Sequence, residues 1–398
     1  MAHHLALNGA DVTVVDAGEP GSGCSAGNAG WICPILAAPI AAPGILREAL
    51  RFSLRPTSSP LSLSPSLRPG FLRWSRRFLA SASQDRFDHG LSAMVALNQE
   101  CQGAFDRLRA AGVEFDEQRS GLFAGVRSPQ MVETLAASFG AVQAAGYAGR
   151  MECFDEAALR IEEPAFSDAV RGGIRFPDER HVLPSSLTAG LLHKIRARGG
   201  VIETGARVDR IVRSGNAWLT RTTDGGLESD AVIVAAGTAT PGLLRPHGAR
   251  VLIEPARGYS ITMPGRGILP RGALFMPEVK VGCSPFDDMI RFVGTFELGS
   301  RSTAISAKRI ERVKRHWATF LRDWTPTGES EEWAGLRPMT PDGLPVVGEV
   351  PGSRGLFVAA GHGMLGVSLA PVTAELLTSA VLEGVVRPAL GPLAVSRF

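Results

Sequence analysis

The stretch LFVAAGHGMLGVSLA (residues 356–370) decides the fold, because it reads as an apolar strand, a glycine-rich turn and the start of a helix. Its residues 361–366 match the pattern G-x-G-x-x-G, which cradles a nucleotide phosphate in βαβ units. No second strand ending in an acidic residue follows, so the βαβ context is missing. Two interpretations remain open. The segment is either a tight strand–helix turn or a helix N-terminus that binds an anion or a cofactor that gains negative charge.

The start of the chain carries another feature of dinucleotide-binding units. Residues 2–7 have helical spacing, and the β-branched run at residues 12–15 predicts a buried strand that ends at Asp16. An acid at that position bonds a ribose diol in such units, and the alternative is a solvent-facing residue at a strand end. The glycine loop that should precede this strand is absent, so we expect the first strand of the unit to be missing.

Two further segments are candidates for a ligand site. The strand predicted at residues 231–236 ends in Ala236 and Gly237, whose small size allows close backbone approach to a ligand, although packing explains it equally well. Arg337 lies in GLRPMTPDGLPVVG (residues 335–348), where prolines and glycines would hold it rigidly. A guanidinium is the preferred partner of a carboxylate, and a surface arginine is the alternative interpretation.

The remaining pattern predicts an α/β fold with an inserted antiparallel sheet. Residues 251–300 alternate as antiparallel strands, whereas α/β patterns occupy both ends of the chain. Helices are predicted at residues 86–112, 185–198 and 306–324. The architecture is therefore expected to be discontinuous in sequence.

Composition and spacing exclude several classes of protein. With 398 residues, 44% apolar and 20% charged, the chain can bury a sizeable core. A net charge of +3 does not indicate nucleic-acid binding. The five cysteines form no C-x-x-C pair and the eight histidines show no metal-ligand spacing, so we expect no metal site, no disulfide framework and a cytoplasmic location.

Five segments together resemble one enzyme family, the FAD-dependent D-amino-acid dehydrogenases. These belong to a wider group with D-amino-acid oxidase, glycine oxidase and sarcosine oxidase. The resemblance implies that this chain is truncated at its N-terminus relative to the family. The segments are SAGNAGWICP (25–34), AAPIAAPG (37–44), RGYSITMP (257–264), GLRPMTPDGLPVVG (335–348) and AGHGMLGVSLA (360–370).

The resemblance also implies two domains. One is a Rossmann-like FAD-binding domain that lacks its first strand and comprises residues 1–75, 175–250 and 335–398. The other is a substrate domain with an antiparallel sheet, comprising residues 76–174 and 251–334.

FAD is the cofactor that the resemblance implies. Asp16 would hold the adenosine ribose, and Val208 would meet the adenine side through its backbone. The helix dipole behind the turn at residues 361–366 would stabilise the reduced flavin anion. The other implied cofactor positions are Ser25, Asn28, Ala29, Gly30, Ala236, Gly237, Gly361, Gly363, Met364, Leu365 and Gly366.

For the substrate, the resemblance implies that Arg337 is the catalytic residue that clamps the carboxylate. Tyr259, Val279 and Gly363 are the other implied substrate contacts, and relatives can carry tyrosine at the position of Val279. The implied reaction is oxidative deamination of a D-amino acid to a 2-oxo acid and ammonia, with hydride transfer from Cα to flavin N5. It needs no protein general base, and orientation carries much of the catalysis.

Two alternatives remain open at this stage. The first is an oxidase that passes electrons to oxygen and acts on glycine, sarcosine or a cyclic imino acid such as D-proline or hydroxyproline. The second is a non-catalytic homologue without cofactor, because the missing phosphate loop removes several N–H donors from FAD.

The expected partners are a small D-amino acid and an electron acceptor, either a quinone or an electron-transfer partner. In LRPGFLRWSRRFL (residues 67–79), Phe71, Trp74 and Phe78 share one face of a possible helix that is flanked by arginines. Such a face suits an anionic membrane surface, so peripheral attachment to the inner face of the cell membrane is one hypothesis. The alternative is that these aromatic side chains pack into the protein.

Overall fold

A computed structural model describes residues 1–45, 61–64 and 66–398. Arg47, Arg51 and Arg55, which would add positive charge beside the segment at residues 67–79, lie outside the described residues. The α-helices are α1 (Ala2–Leu7), α2 (Pro69–Ser81), α3 (Gln84–Gln99), α4 (Cys101–Ala110), α5 (Pro129–Ala144), α6 (Glu156–Glu162), α7 (Pro184–Ala197), α8 (Thr240–Leu244), α9 (Ala307–Phe320) and α10 (Gly366–Glu383).

The strands belong to several sheets of the α/β fold. They are β1 (Thr13–Val15), β2 (Trp31–Ile32), β3 (Leu61–Leu63), β4 (Glu117–Gln118), β5 (Leu122–Val126), β6 (Glu152–Asp155), β7 (Gly172–Phe176), β8 (Arg180–Val182), β9 (Val201–Glu203), β10 (Val208–Ser214), β11 (Ala217–Thr222), β12 (Gly225–Ser229), β13 (Val232–Val234), β14 (Glu254–Gly267), β15 (Ala273–Met276), β16 (Val281–Phe286), β17 (Met289–Leu298), β18 (Trp324–Pro326), β19 (Glu331–Met339), β20 (Val346–Glu349) and β21 (Leu356–Ala360).

The α/β pattern predicted at both ends of the chain is present, and the strand near each end pairs in parallel with a strand from the middle of the chain. β1 runs parallel to β9, and β13 runs parallel to β21, which also pairs antiparallel with β20. The strand predicted at residues 12–15 is present as β1, but the prediction that it is buried is wrong, because Thr13 is exposed and Val14 and Val15 are half-buried. The physical reason is that β1 has β9 as its one partner among the described strands and so lies at a sheet edge.

A large, mainly antiparallel sheet fills the middle of the chain, also as predicted. Its strand order is β18-β14-β17-β16-β15-β5-β7-β6, with β19 added to β14 and β3 added to β17. The pairs of β15 with β5 and of β17 with β3 are parallel. β19 belongs to this sheet over its whole length, so the domain boundary predicted between residues 334 and 335 falls inside a strand.

The main core joins helices from both predicted domains. Leu91 of α3 and Phe105 of α4 belong to one buried cluster with Leu369 and Leu377 of α10. α3 and α4 account for the helix predicted at residues 86–112, with a break at Glu100. The assignment of residues 76–174 to the substrate domain stays a prediction. In the structure, α3 and α4 of that segment pack against α10.

The hypothesis that the aromatic face of residues 67–79 meets a membrane is wrong for that face. Phe71 and Trp74 are 7% and 2% exposed, and the indole N–H of Trp74 donates to the Met339 carbonyl at 2.8 Å. The ring of Phe78 stacks on Trp74 with 5.0 Å between centroids. These aromatic side chains therefore anchor α2 to the protein. No helix among the described residues is long and apolar enough to cross a bilayer.

The buried carboxyl group of Glu179 connects several segments of the main core through hydrogen bonds. Oε1 of Glu179 accepts hydrogen bonds from the Ile35 N–H at 3.1 Å and from the Tyr147 hydroxyl at 2.7 Å. Its Oε2 accepts from Nε2 of Gln102 at 3.3 Å. Burial raises the pKa of Glu179 to about 7, although the hydrogen bonds from Tyr147 and Ile35 lower it.

This carboxyl group predicts a pH-dependent stability. Below its ordinary pKa of 4.5, Glu179 is protonated in both states and contributes no difference. As the pH rises from 4.5 to about 7, the unfolded chain ionises first, so the free energy of unfolding falls. Glutamine does not ionise, so Glu179→Gln should not show this decrease. The free energy of unfolding of the variant minus that of the wild type should therefore rise by about 2 kcal/mol between pH 5 and pH 8.

Urea denaturation at a series of pH values measures the effect. Glu133→Gln, at an exposed position on α5, is the matched control and should follow the wild-type curve. Parallel curves for Glu179→Gln and the wild type would contradict the prediction.

Candidate functional site

Small residues follow the carboxyl ends of two neighbouring parallel strands. β13 ends at the buried Val234, and Ala235 and Ala236 after it are exposed. β21 ends at Ala360 and is followed by the turn of residues 361–366. Ligands of α/β sheets bind outside the carboxyl ends of the strands, so this edge is the expected place for a cofactor.

The turn at residues 361–366 has a shape that requires glycine. Gly361 and Gly363 have φ of +76° and +56°, which other residues adopt at a cost. A Cβ atom at Gly361 would lie 2.6 Å from the methyl carbon of Thr340. The Gly363 N–H donates to the Pro338 carbonyl at 3.1 Å. The turn is therefore fastened to the end of β19, directly beside Arg337.

α10 presents an uncapped N-terminus behind this turn. It begins at Gly366 with Leu365 at the N-cap, and the apolar Leu365 side chain makes no capping hydrogen bond. The N–H groups of a first turn have no intrahelical acceptor and lie at the positive end of the helix dipole. The hydroxyl of Thr340, which adjoins Gly361, is buried without a hydrogen-bond partner among the described residues. The first turn of α10 and the hydroxyl of Thr340 therefore offer hydrogen-bond donors to a ligand that is rich in acceptors.

His362 in the same turn is a weak base. Burial lowers its pKa to about 4. Its Nε2 lies 3.1 Å from the hydroxyl oxygen of Thr373. The ring is therefore neutral near pH 7 and engaged with α10.

The segment of residues 25–30 is held in place from the large sheet. The buried guanidinium of Arg291 donates to the carbonyls of Ala26 at 2.8 Å and Asn28 at 3.1 Å. Asn28 Oδ1 accepts from the Gly30 N–H at 2.7 Å. Ser25 contributes its carbonyl, which accepts from the Asn28 N–H at 3.1 Å. Sequence reasoning missed Arg291, because nothing in MIRFVGTF shows which strand position faces this segment.

Gly30 and Ala29 complete this segment. Gly30 has φ of +75°, and a Cβ atom there would lie 1.8 Å from the Val182 carbonyl oxygen. The Ala29 carbonyl accepts from the Ser284 hydroxyl at 2.7 Å. β8 and β16 thus hold the predicted cofactor segment close to the large sheet.

Arg337 is a half-buried cation on β19 that has no counter-ion among the described residues. It lies opposite Ala256 in the pairing of β19 with β14. No carboxylate of the described residues is within ion-pair distance of it, and burial lowers its pKa. The neighbouring Leu336 carbonyl accepts from the Cys24 thiol, so the loop of residues 19–27 adjoins this strand. A desolvated guanidinium with free donors is suited to a carboxylate ligand.

The other two predicted substrate residues have different surroundings. Tyr259 is fully buried, and its hydroxyl donates to Glu297 at 2.9 Å. Arg257 and Arg309 also donate to that carboxylate, at 2.6 and 3.0 Å, so the carboxylate already has three partners. Val279 is half-buried in the turn between β15 and β16 and packs on the second core cluster. Their contact with a substrate stays a prediction.

The predicted adenosine contacts lie on the two-stranded and three-stranded sheets. Asp16 follows β1, is exposed, and accepts from the Gly18 N–H at 2.9 Å through Oδ1. Val208 begins β10 and is half-buried.

In the described parts of the chain, no group of three His, Cys, Asp or Glu side chains could hold a metal ion.

Comparisons with known proteins identify the family of this chain. The family model "DAO: FAD dependent oxidoreductase" matches residues 1–380. The chain is 32% identical to the D-amino acid dehydrogenases of Rhizorhabdus wittichii and Methylobacterium radiotolerans, each match covering 100% of this chain and 96% of the relative.

Among solved structures, glycine oxidase from Geobacillus kaustophilus matches with a TM-score of 0.75 at 21% identity, covering 100% of this chain and 95% of that one. At that identity the likeness shows the fold alone. The family match, which spans nearly the whole chain, shows more: this chain belongs to the DAO family of FAD dependent oxidoreductases.

Proposed function

We propose that this protein is an FAD-dependent D-amino acid dehydrogenase that deaminates its substrate oxidatively to a 2-oxo acid and ammonia. The observation that carries the proposal is the guanidinium of Arg337, which is half-buried and has no carboxylate partner among the described residues. The two relatives quoted above have this activity in their names. The free cation agrees with it, because every amino acid substrate carries a carboxylate.

The residues present fit FAD at the flavin end. The unpartnered hydroxyl of Thr340 and the uncapped start of α10 supply donors beside Gly361. The exposed Ala236 and the turn of Gly237 leave room at the neighbouring strand end. We propose that these groups, with Asp16 on the ribose, hold the cofactor. Bound FAD would supply the two-electron acceptor for the Cα–H bond.

The protein's own contribution is orientation and charge. Arg337 would fix the substrate carboxylate through a bidentate pair, which directs Cα toward the turn of residues 361–366. His362 has a pKa of about 4 and faces Thr373, so the substrate amine must be neutral before it reacts rather than lose a proton to this ring. Water then hydrolyses the imino acid product.

The first prediction tests Arg337. Arg337→Ala removes a charge-assisted bidentate pair that is worth ~2–5 kcal/mol, so kcat/KM for D-amino acids should fall at least about a hundredfold. FAD content should stay at the wild-type level. Arg266→Ala, at an exposed position of β14, is the matched control and should keep wild-type kinetics. Near-normal kinetics of Arg337→Ala with a dye acceptor would remove Arg337 from the site.

The second prediction tests the glycine turn. Gly363→Val places a branched side chain at φ of +56° beside Met339, so it should lower FAD content several-fold. Gly352→Val is the control, because Gly352 has φ of +74° but open space around it. Both variants should lose stability, and only the first should lose flavin absorbance. Equal flavin content in the two would count against a cofactor contact at Gly363.

For the electron acceptor we propose a quinone or an electron-transfer partner at an anionic membrane surface. The outer face of α2 supports this location. Leu72 and Leu79 are 50% and 48% exposed, Arg73 and Arg76 beside them are exposed, and α2 contains no acidic residue. Exposed leucines between arginines complement anionic lipid headgroups.

The third prediction tests this surface. The wild type should float with anionic vesicles at low salt and not at high salt. Arg73→Glu with Arg76→Glu should abolish flotation. Arg210→Glu with Arg221→Glu makes the same charge change at a distant exposed pair and should float normally. Absence of wild-type flotation at low salt, or equal loss in both double variants, would reject the membrane surface.

A further inference from the structure

Two glycines face each other across β14 and β19 in the row that carries Arg337. Gly258 pairs directly with Gly335 in the antiparallel register. Arg337, two residues after Gly335, has its side chain on the same face of β19. The indole of Trp333 covers Gly335, because a Cβ atom there would lie 2.1 Å from two of its ring carbons. The bare backbone next to the guanidinium of Arg337 is therefore that of Gly258.

The guanidinium of Arg337 lies over Gly258. A Cβ atom built on Gly258 would be 2.4 Å from Cζ of Arg337 and 2.5 and 2.7 Å from its two terminal nitrogens. Three such similar distances mean that the glycine faces the flat side of the guanidinium plane. The N–H donors lie in that plane, so their edge stays free for a ligand.

Backbone conformation is not the reason for glycine at this position. The residues with positive φ include many glycines, such as Gly361 and Gly363, but not Gly258. An alanine could therefore adopt this backbone, but the three atoms nearest to its methyl group would all belong to the guanidinium, at 2.4 to 2.7 Å. The requirement is one of space.

We infer that Gly258 is the positioning residue for Arg337: its missing side chain lets the guanidinium lie flat across β14, with its donor edge presented to the substrate carboxylate. The inference rests on the proposed function, in which Arg337 binds that carboxylate. A side chain at Gly258 lifts the guanidinium from this position and removes the bidentate geometry, while the cofactor segments at residues 25–30 and 361–366 keep their own contacts.

The test compares ligands that differ in their carboxylate. Propionate and its uncharged amide, propionamide, are titrated into the FAD-loaded protein, and binding is followed by the change in flavin absorbance. The wild type should bind propionate at least about tenfold more tightly than propionamide. Gly258→Ala should lose this preference with unchanged FAD content and unchanged propionamide affinity.

Gly265→Ala is the matched control. Gly265 lies on the same strand, and a Cβ atom there would be 2.3 Å from the indole of Trp324. This variant should lose stability like Gly258→Ala but keep the preference for propionate. A merely structural role of Gly258 predicts that the two variants behave alike.

A second variant keeps the inference testable if Gly258→Ala folds poorly. Lysine has no planar guanidinium, so Gly258→Ala with Arg337→Lys removes the collision and should fold at least as stably as Gly258→Ala alone. The two changes should be non-additive in both stability and propionate affinity. Additive losses would overturn the inference.

The outcomes also separate this inference from the proposed function. If Arg337→Ala loses the preference for propionate and Gly258→Ala keeps it, the positioning role is wrong and the carboxylate site stands. If the wild type itself shows no preference, or Arg337→Ala keeps it, the proposed carboxylate site fails.

Discussion

The site depends on one unbalanced charge, the half-buried guanidinium of Arg337. A desolvated cation without a counter-ion costs free energy, and the described residues supply no carboxylate that would offset this cost. The surrounding structure holds it in place, because β19 pairs with β14 along nine residues of matched register. Under the proposed function, a ligand carboxylate would offset the desolvation, so one interaction would both bind and orient the substrate.

The register of β14 and β19 also connects this charge to the cofactor region. Gly363 donates to Pro338, the residue after Arg337, which fixes the glycine turn relative to the cation. Arg291 on β17 holds the segment of residues 25–30 through two carbonyls. One antiparallel sheet thus positions two segments that lie more than 300 residues apart in the chain.

Local patterns predicted the local elements well. The helix at residues 2–7, the strand at residues 356–360 and the helix that begins at residue 366 lie where spacing and glycine signals place them. Contacts across the sheet could not be predicted. The role of Arg291, the space over Gly258 and the bond from Tyr259 to Glu297 depend on which strands pair and in which register, and no local pattern encodes that. The membrane hypothesis for the aromatic face of α2 was wrong for a related reason, since amphipathic spacing does not distinguish a protein core from a membrane.

Anaerobic mixing of the FAD-loaded protein with D-alanine and with L-alanine tests the central claim most directly. The account predicts that D-alanine bleaches the flavin absorbance and yields one 2-oxo acid for each flavin reduced, whereas L-alanine leaves the spectrum unchanged. A wild-type protein that binds FAD but is not reduced by any D-amino acid would contradict it.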